Sequence, residues 1–299
     1  MKTAVILMAY GSPSKLEEVP EYLKGIYEGR EVPEYAMKEN MEKYRMVNGV
    51  SPSNAIIDSV VKKLTHELSG QGDFRIMLGN KHWKPFLWDV VEGLKGDEPE
   101  NIIGIPLFPF PSKNVLNSYL TPLKESLESS GMDPEVRMVN GLDLEMMADL
   151  WAEIIGSASL KKDEALFFDA HSLPTFRNRE DEYDSAFREL SEKIANRLDL
   201  KSYFRGYQSV GKYGSSWLGP TVFEEFGKVD RSDYRSVLAA PIGFLYEHLE
   251  VLYDLDLEFG KHTVTASGME YRRTELPDDS TAMIRVLKDH ILKEVEYIK

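Results

Sequence analysis

An α/β protein with two parallel sheets is the fold class this sequence predicts, and three observations carry the prediction. Short runs rich in β-branched or aromatic residues alternate with longer amphipathic stretches, the pattern of parallel strands joined by crossover helices. At 299 residues the chain is long for one hydrophobic core, so two domains are the natural division. The two halves also open alike. Each begins with an apolar run that ends in a polar loop, AYGSP at residues 9–13 and FDAHSLP at residues 168–174.

The elements follow in order. Residues 3–8 (TAVILM) read as a strand buried on both faces, and similar runs at 74–78, 102–107, 135–139, 165–169, 203–207 and 236–242 supply the rest. Between them the apolar spacing is helical at 15–27, 34–45, 53–68, 85–94, 114–129, 144–157 and 184–198. A last helix covers about 280–297, with Ile284, Leu287, Ile291 and Val295 on one face. This organisation predicts a first domain over 1–145, a second over 146–279, and a C-terminal helix, 280–299, that packs back on the first. In open α/β sheets ligands bind beyond the carboxyl ends of the strands, so both polar loops are expected to face one interdomain cleft.

Composition narrows the function. The formal net charge of −14 argues against nucleic acid as a partner and suits a cation. There is no cysteine, which excludes thiolate metal sites and cysteine-ligated iron–sulfur clusters. The apolar start, MKTAVILMAYG, is too short to span a membrane and reads as a strand rather than a signal peptide. A cytoplasmic protein is the expectation.

Two segments promise chemistry. His171 follows an apolar strand and precedes a Ser-Leu-Pro turn, a position from which an imidazole can take a proton or bind a metal. A histidine there can equally serve a structural hydrogen bond. Glu250, Asp254 and Glu258 recur every four residues, which on an α-helix puts them on one side, about 6 Å apart. Charged helices are usually solvated, but Leu249, Val251, Leu252, Tyr253 and Leu255 make this one apolar over much of its circumference. Buried carboxylates need partners, protons or metal. Elsewhere, AYGSP reads first as a turn that leaves Tyr10 at the strand end. Tyr44 and the NGVSP loop set Ser51 and Ser53 before a helix, as caps or ligand-facing hydroxyls. LGNKHWKPF sets Lys81, His82 and Trp83 at a strand exit, suited to a flat anion or to simple loop packing. Ser118 and Tyr119 lie early in the helix after PLFPFPSKN, whose own reading is a rigid apolar wall.

These segments together resemble the ferrochelatase family. FDAHSLP resembles the family's SAHSLP motif, with Asp169 where serine is usual, and IGFLYEHLEVLYDLDLE resembles its GFVSDHLEVLYDND-type motif. AYGSP, NGVSP, LGNKHWKPF, NSY at 117–119 and YQSVG…WLGP at 207–220 match further segments in the same order. The resemblance implies two Rossmann-like, doubly wound domains of chelatase type and insertion of Fe²⁺ into a porphyrin, with release of two protons, in haem biosynthesis. It implies His171 and Glu250 as the catalytic pair and metal contacts. Asp254 and Glu258 would continue the metal-binding set outward, with room for a second divalent ion such as Mg²⁺. Tyr10, Lys43, Tyr44, Ser51 and Ser118 match porphyrin-contacting positions, Lys81 and His82 match the other side of the cleft, and Ile26, Tyr27, Arg30 and Tyr119 complete the expected substrate-binding set.

Two departures bear on the substrate. Where the family often carries a pair of arginines for propionates, this chain has Tyr27 and Glu28, and only Arg30 keeps its place. Tyr10 resembles the coproporphyrin III branch, with AYGTP, rather than the protoporphyrin IX enzymes with NLGTP. No tightly bound cofactor is expected, Fe²⁺ and porphyrin being substrates, and any membrane contact would be peripheral. A tetrapyrrole carrier without catalysis, or a cobalt or nickel chelatase for another tetrapyrrole, are the alternative readings.

Overall fold

The computed structural model describes residues 2–175, 182–211 and 216–298. The chain divides into two compact units, one of Met1–Leu107, Lys113–Gly141 and Asp278–Lys299, the other of Phe108–Ser112 and Leu142–Pro277.

The first unit is built on β1 (Lys2–Ala9), β2 (Asp73–Asn80), β3 (Asn101–Pro106) and β4 (Glu135–Met138). All pairings are parallel and the order is β2-β1-β3-β4. The uninterrupted apolar run of β1 explains its inner position, since Ala4–Ala9 are buried on both faces. Ala4, Ile6 and Met8 on one face pack with Leu87, Val91, Ile102, Leu123 and Leu127. The helices are α1 (Val19–Ile26), α2 (Glu34–Met46), α3 (Ser53–Glu67), α4 (Leu87–Glu92), α5 (Lys113–Ser130) and, from the end of the chain, α10 (Thr281–Ile298). α10 packs on α3, where Lys63 and Lys288 pair with Asp279 at 2.6 Å and Glu67 at 3.1 Å.

The second unit repeats the plan with β5 (Glu164–His171), β6 (Phe204–Gln208), β7 (Ser236–Ala240) and β8 (Glu270–Arg273), again parallel, in the order β6-β5-β7-β8. Its helices are α6 (Leu144–Ser157), α7 (Tyr183–Arg197), α8 (Val222–Phe226) and α9 (Gly260–Ser267), with a π-helix over Val251–Phe259. No helix among the described residues is long and apolar enough to cross a membrane.

Several boundaries differ from the sequence expectation. The second unit starts at Leu142, because a cut at 145 would divide α6, whose N-cap Asp143 accepts from the N–H groups of Glu145 and Met146. Phe108–Ser112 also belong to it: Phe108 stacks on Tyr183 at 5.4 Å, and Phe110 meets Tyr183 and Phe187. The helix expected over 15–27 is a 3₁₀ turn, Leu16–Glu18, followed by α1 with Pro20 in its first turn. Proline suits a first turn but not a helix interior. Sequence periodicity missed α8, α9 and β8. The strand β8 (EYRR) is half-buried because Arg272 pairs with buried Glu164, and Arg273 with Glu247 and Asp256.

Candidate active site

In the second unit, β5 delivers His171 to the end of the sheet, in register with Gln208 of β6. The strand end is pinned on several sides. The Tyr183 hydroxyl, in the first turn of α7, donates to the His171 carbonyl at 2.6 Å, and Ser172 Oγ donates to the Leu218 carbonyl at 2.7 Å. The turn after β7 passes so close that a Cβ on Gly243 would lie 2.5 Å from the Ala170 Cβ. Only glycine fits there.

Glu250, at the start of the π-helix, bridges two imidazoles. Its Oε1 is 3.5 Å from His171 Nε2 and its Oε2 is 3.5 Å from His248 Nε2. The second ring nitrogen of His171 meets the Ser172 carbonyl, and that of His248 lies 3.1 Å from the Tyr246 carbonyl. Both nitrogens of His171 therefore face acceptors, which only the imidazolium satisfies with both. Burial pushes the His171 pKa down, but the Glu250 carboxylate and the Ser172 carbonyl outweigh it and leave it above the usual value of 6.5. Burial pushes Glu250 up, and His171 together with His248 more than reverses this, holding it well below 4.5. Each group thus favours the charged form of the other.

The acidic ladder departs from expectation in geometry. Its helix is wound with i→i+5 hydrogen bonds, as from Gly260 N–H to the Leu255 carbonyl, not as an α-helix. The three acids do not form the uniform α-helical stripe that four-residue spacing suggests: Asp254 is buried, Glu258 is exposed and Glu250 stands at the helix start. Ser209 Oγ donates to Asp254 Oδ2, and Gln208 Nε2 donates to the Glu250 carbonyl at 3.1 Å. Among the described residues, no group of three or more His, Asp or Glu side chains is arranged to hold a metal ion. Asp169, two residues before His171, is wholly buried with no hydrogen bond to either carboxyl oxygen among the described residues. Burial, reinforced by Asp254, outweighs the opposing Ala170 backbone N–H and raises its pKa well above the usual carboxylate range, which favours the neutral acid.

In the first unit, Tyr10, Lys81 and His82 stand at the exits of β1 and β2, and the other expected substrate-binding residues lie on α1, α2 and α5 or in the loops after α1 and α2. Gly11 (φ +92°) turns the chain after Tyr10, and a Cβ there would strike the Trp83 backbone nitrogen at 2.9 Å. Lys81 and His82 N–H donate to the Ala9 and Tyr10 carbonyls, and the Tyr10 and His82 rings meet at 4.4 Å. Tyr10 is exposed, whereas His82 is buried with Nδ1 3.3 Å from the Gly25 carbonyl. Burial, helped by Lys81, lowers the His82 pKa to about 4. Lys81 Nζ lies 5.9 Å from the centre of the Tyr119 ring. The Tyr44 hydroxyl is buried 3.3 Å from Ser12 Oγ. Ser51 is buried against Ser53, and Ser118 Oγ turns back to the Val115 carbonyl at 2.8 Å. Lys43 is half-buried on α2. Ile26 ends α1, Tyr27 caps it, and exposed Arg30 donates to the Tyr27 carbonyl at 3.1 Å.

Sequence reasoning missed His248, Ser209 and Tyr183. His248 stood inside the quoted YEHLE segment, two residues before Glu250, and was legible as a second imidazole. Nothing in the sequence ties Ser209 to Asp254 or Tyr183 to the His171 carbonyl. Of the segment over 207–220, residues 212–215 lie outside the described residues.

Comparison with known proteins bears on this site. The family model described as Ferrochelatase matches residues 2–295. A ferrochelatase of Thermoplasma acidophilum is 43% identical over 96% of this chain and 90% of its own length, and one of Thermoplasma volcanium is 39% identical over 100% and 95%. A coproporphyrin III ferrochelatase of Bacillus cereus is 31% identical over 99% of both. Among solved structures, the sirohydrochlorin chelatase SirB of Bacillus subtilis subspecies spizizenii, in complex with cobalt, has a TM-score of 0.57 over 99% of this chain and 96% of its own, at 10% identity. CbiX, described as the terminal enzyme of sirohaem biosynthesis in denitrifying bacteria, has a TM-score of 0.54 at 11% identity, covering 98% and 99%. These structural likenesses speak for the two-domain chelatase fold. The sequence likeness goes further: this chain belongs to the ferrochelatase family, lyases of haem biosynthesis that insert a metal ion into a porphyrin.

Proposed function

We propose that the protein inserts Fe²⁺ into coproporphyrin III, releasing the two pyrrole protons, with His171 and Glu250 as the groups that act at the metal. The observation that carries this reading is the Glu250 carboxylate set between His171 and His248 at 3.5 Å from each, at the end of the strand bearing the family-like histidine. Insertion requires acceptors for two protons. His171 takes one proton in its neutral form, which is populated above its raised pKa, and the other leaves through Glu250 toward Asp254 and Glu258. Glu250, held anionic by the imidazoles, attracts the incoming cation and loses its hold on His171 as it does so.

Asp254 and Glu258 pass cation or protons between Glu250 and solvent, Asp254 from its buried bond to Ser209 and Glu258 from the exposed part of the π-helix. A second divalent ion such as Mg²⁺ would reside there, supported by the chemistry of the two carboxylates. Tyr10, Ile26, Tyr27, Arg30, Lys43, Tyr44, Ser51, Lys81, His82, Ser118 and Tyr119 hold the porphyrin. The choice of coproporphyrin III rests on Tyr10 and on the relatives named for that substrate. The net charge of −14 supports a protein without nucleic-acid partners and with at most peripheral membrane contact, in keeping with a cytoplasmic location.

Steady-state metallation of coproporphyrin III and protoporphyrin IX, followed anaerobically with Fe²⁺ by visible absorption, tests the substrate. A higher kcat/KM for coproporphyrin III is expected. A clear preference for protoporphyrin IX would overturn the choice, and porphyrin binding without accelerated metallation would make the protein a carrier.

A further inference from the structure

The second unit contains a cavity of about 410 Å³ beside β6, the edge strand of its sheet. Asp184 and Arg188 of α7, Glu225 of α8 and Lys228 just beyond it contribute charged walls. Most of these charges are already matched. Arg188 Nε donates to Asp184 at 2.9 Å, the Tyr207 hydroxyl donates to the same carboxylate at 2.5 Å, and Lys228 pairs with Glu225.

Arg205 is the exception. Its Nη1 is buried and has no acceptor among the described residues, and its guanidinium lies 5.9 Å from the centre of the Tyr203 ring. Native structures rarely leave a buried donor without an acceptor, although Arg205 as a whole is half-exposed. Three cations face two acids, so the cavity keeps one uncompensated positive charge in a chain whose formal net charge is −14. The attraction for an anion is therefore local. Half-buried Tyr203 supplies aromatic surface beside it.

We propose that this cavity binds a small organic anion, with a carboxylate or phosphate taken by the Arg205 guanidinium and a flat body against Tyr203. A guanidinium presents parallel N–H donors that match either oxyanion, and the volume falls within the usual range for small-molecule sites. The site lies apart from the His171–Glu250 pair in its residues and does not depend on the metallation reading.

Calorimetric titration of the full chain with benzoate, phenyl phosphate and the neutral isostere benzamide tests the proposal. Saturable one-to-one binding of at least one anion is expected, with benzamide about tenfold weaker or worse; the tighter anion identifies the headgroup. Arg205→Met should weaken that binding at least about tenfold while circular dichroism stays unchanged. Should this variant not fold, Arg205→Lys, which keeps the charge and loses the fork, should show the same loss in smaller measure. No saturable binding by the wild type, equal binding of benzamide, or undiminished binding in a folded Arg205 variant would overturn it.

Discussion

At the scale of single residues, the decisive feature is a carboxylate that holds two imidazoles. Folding raises the His171 pKa from its usual 6.5 and lowers that of Glu250 from 4.5. Stabilisation linked to His171 is present below pH 6.5 and is lost as pH rises through the raised value. That linked to Glu250 is present above pH 4.5 and is lost as pH falls through the lowered one. The pair thus stabilises the fold most between those values. Replacing Glu250 by Gln removes the main cause of the upward shift and leaves burial, so the His171 imidazole should titrate at lower pH. Its ¹⁵N resonances followed against pH check this; an unchanged midpoint would mean that Glu250 does not hold it. His82 behaves oppositely. Its folded pKa of about 4 lies below the ordinary 6.5, so the unfolded chain binds the proton first and stability falls as pH drops from 6.5 toward 4, by up to about 1.4 kcal/mol per pH unit. Urea midpoints across this window should fall more steeply for the wild type than for a folded His82→Gln variant.

At the scale of elements, the site depends on how closely the turn after β7 crosses β5. Gly243→Ala would set its new Cβ 2.5 Å from Ala170 Cβ and 2.6 Å from Ala170 Cα, and one of these segments must move. A loss of about 1–3 kcal/mol is expected, read as a lower urea midpoint, together with slower metallation because Ala170 precedes His171. At α8, Thr221 and Glu224 form a reciprocal capping box, and Thr221→Ala should cost about 1 kcal/mol. That helix was legible in the sequence as T-x-x-E but too short for periodicity to reveal. The strands of β1, β3, β5 and β7 were legible because burial on both faces demands continuous apolar runs. The sequence of β8 hid it, since its Arg272 and Arg273 find partners only across the folded unit. The π-winding of Val251–Phe259 was equally hidden: acids at four-residue spacing fit an α-helix as well, and the hydrogen-bond register is set by packing.

At the scale of the whole molecule, each unit carries a four-stranded parallel sheet in the same order, with a polar loop after the strand that occupies the equivalent position. The ordered motifs in those loops and in the segments between made the family resemblance readable from residues alone, and the family model over 2–295 bears it out. Individual partners were less readable. His171 with Glu250 was foreseen and His248 was legible two residues before Glu250, but Ser209 and Tyr183 come to the site from separate segments through tertiary packing. The central claim is that His171 is indispensable to metal insertion, and anaerobic metallation of coproporphyrin III by Fe²⁺ with wild-type protein and His171→Ala tests it most directly. The account predicts rapid metallation by the wild type and a kcat at least about 100-fold lower in the variant, with porphyrin binding retained. A folded His171→Ala protein that metallates at the wild-type rate would contradict it.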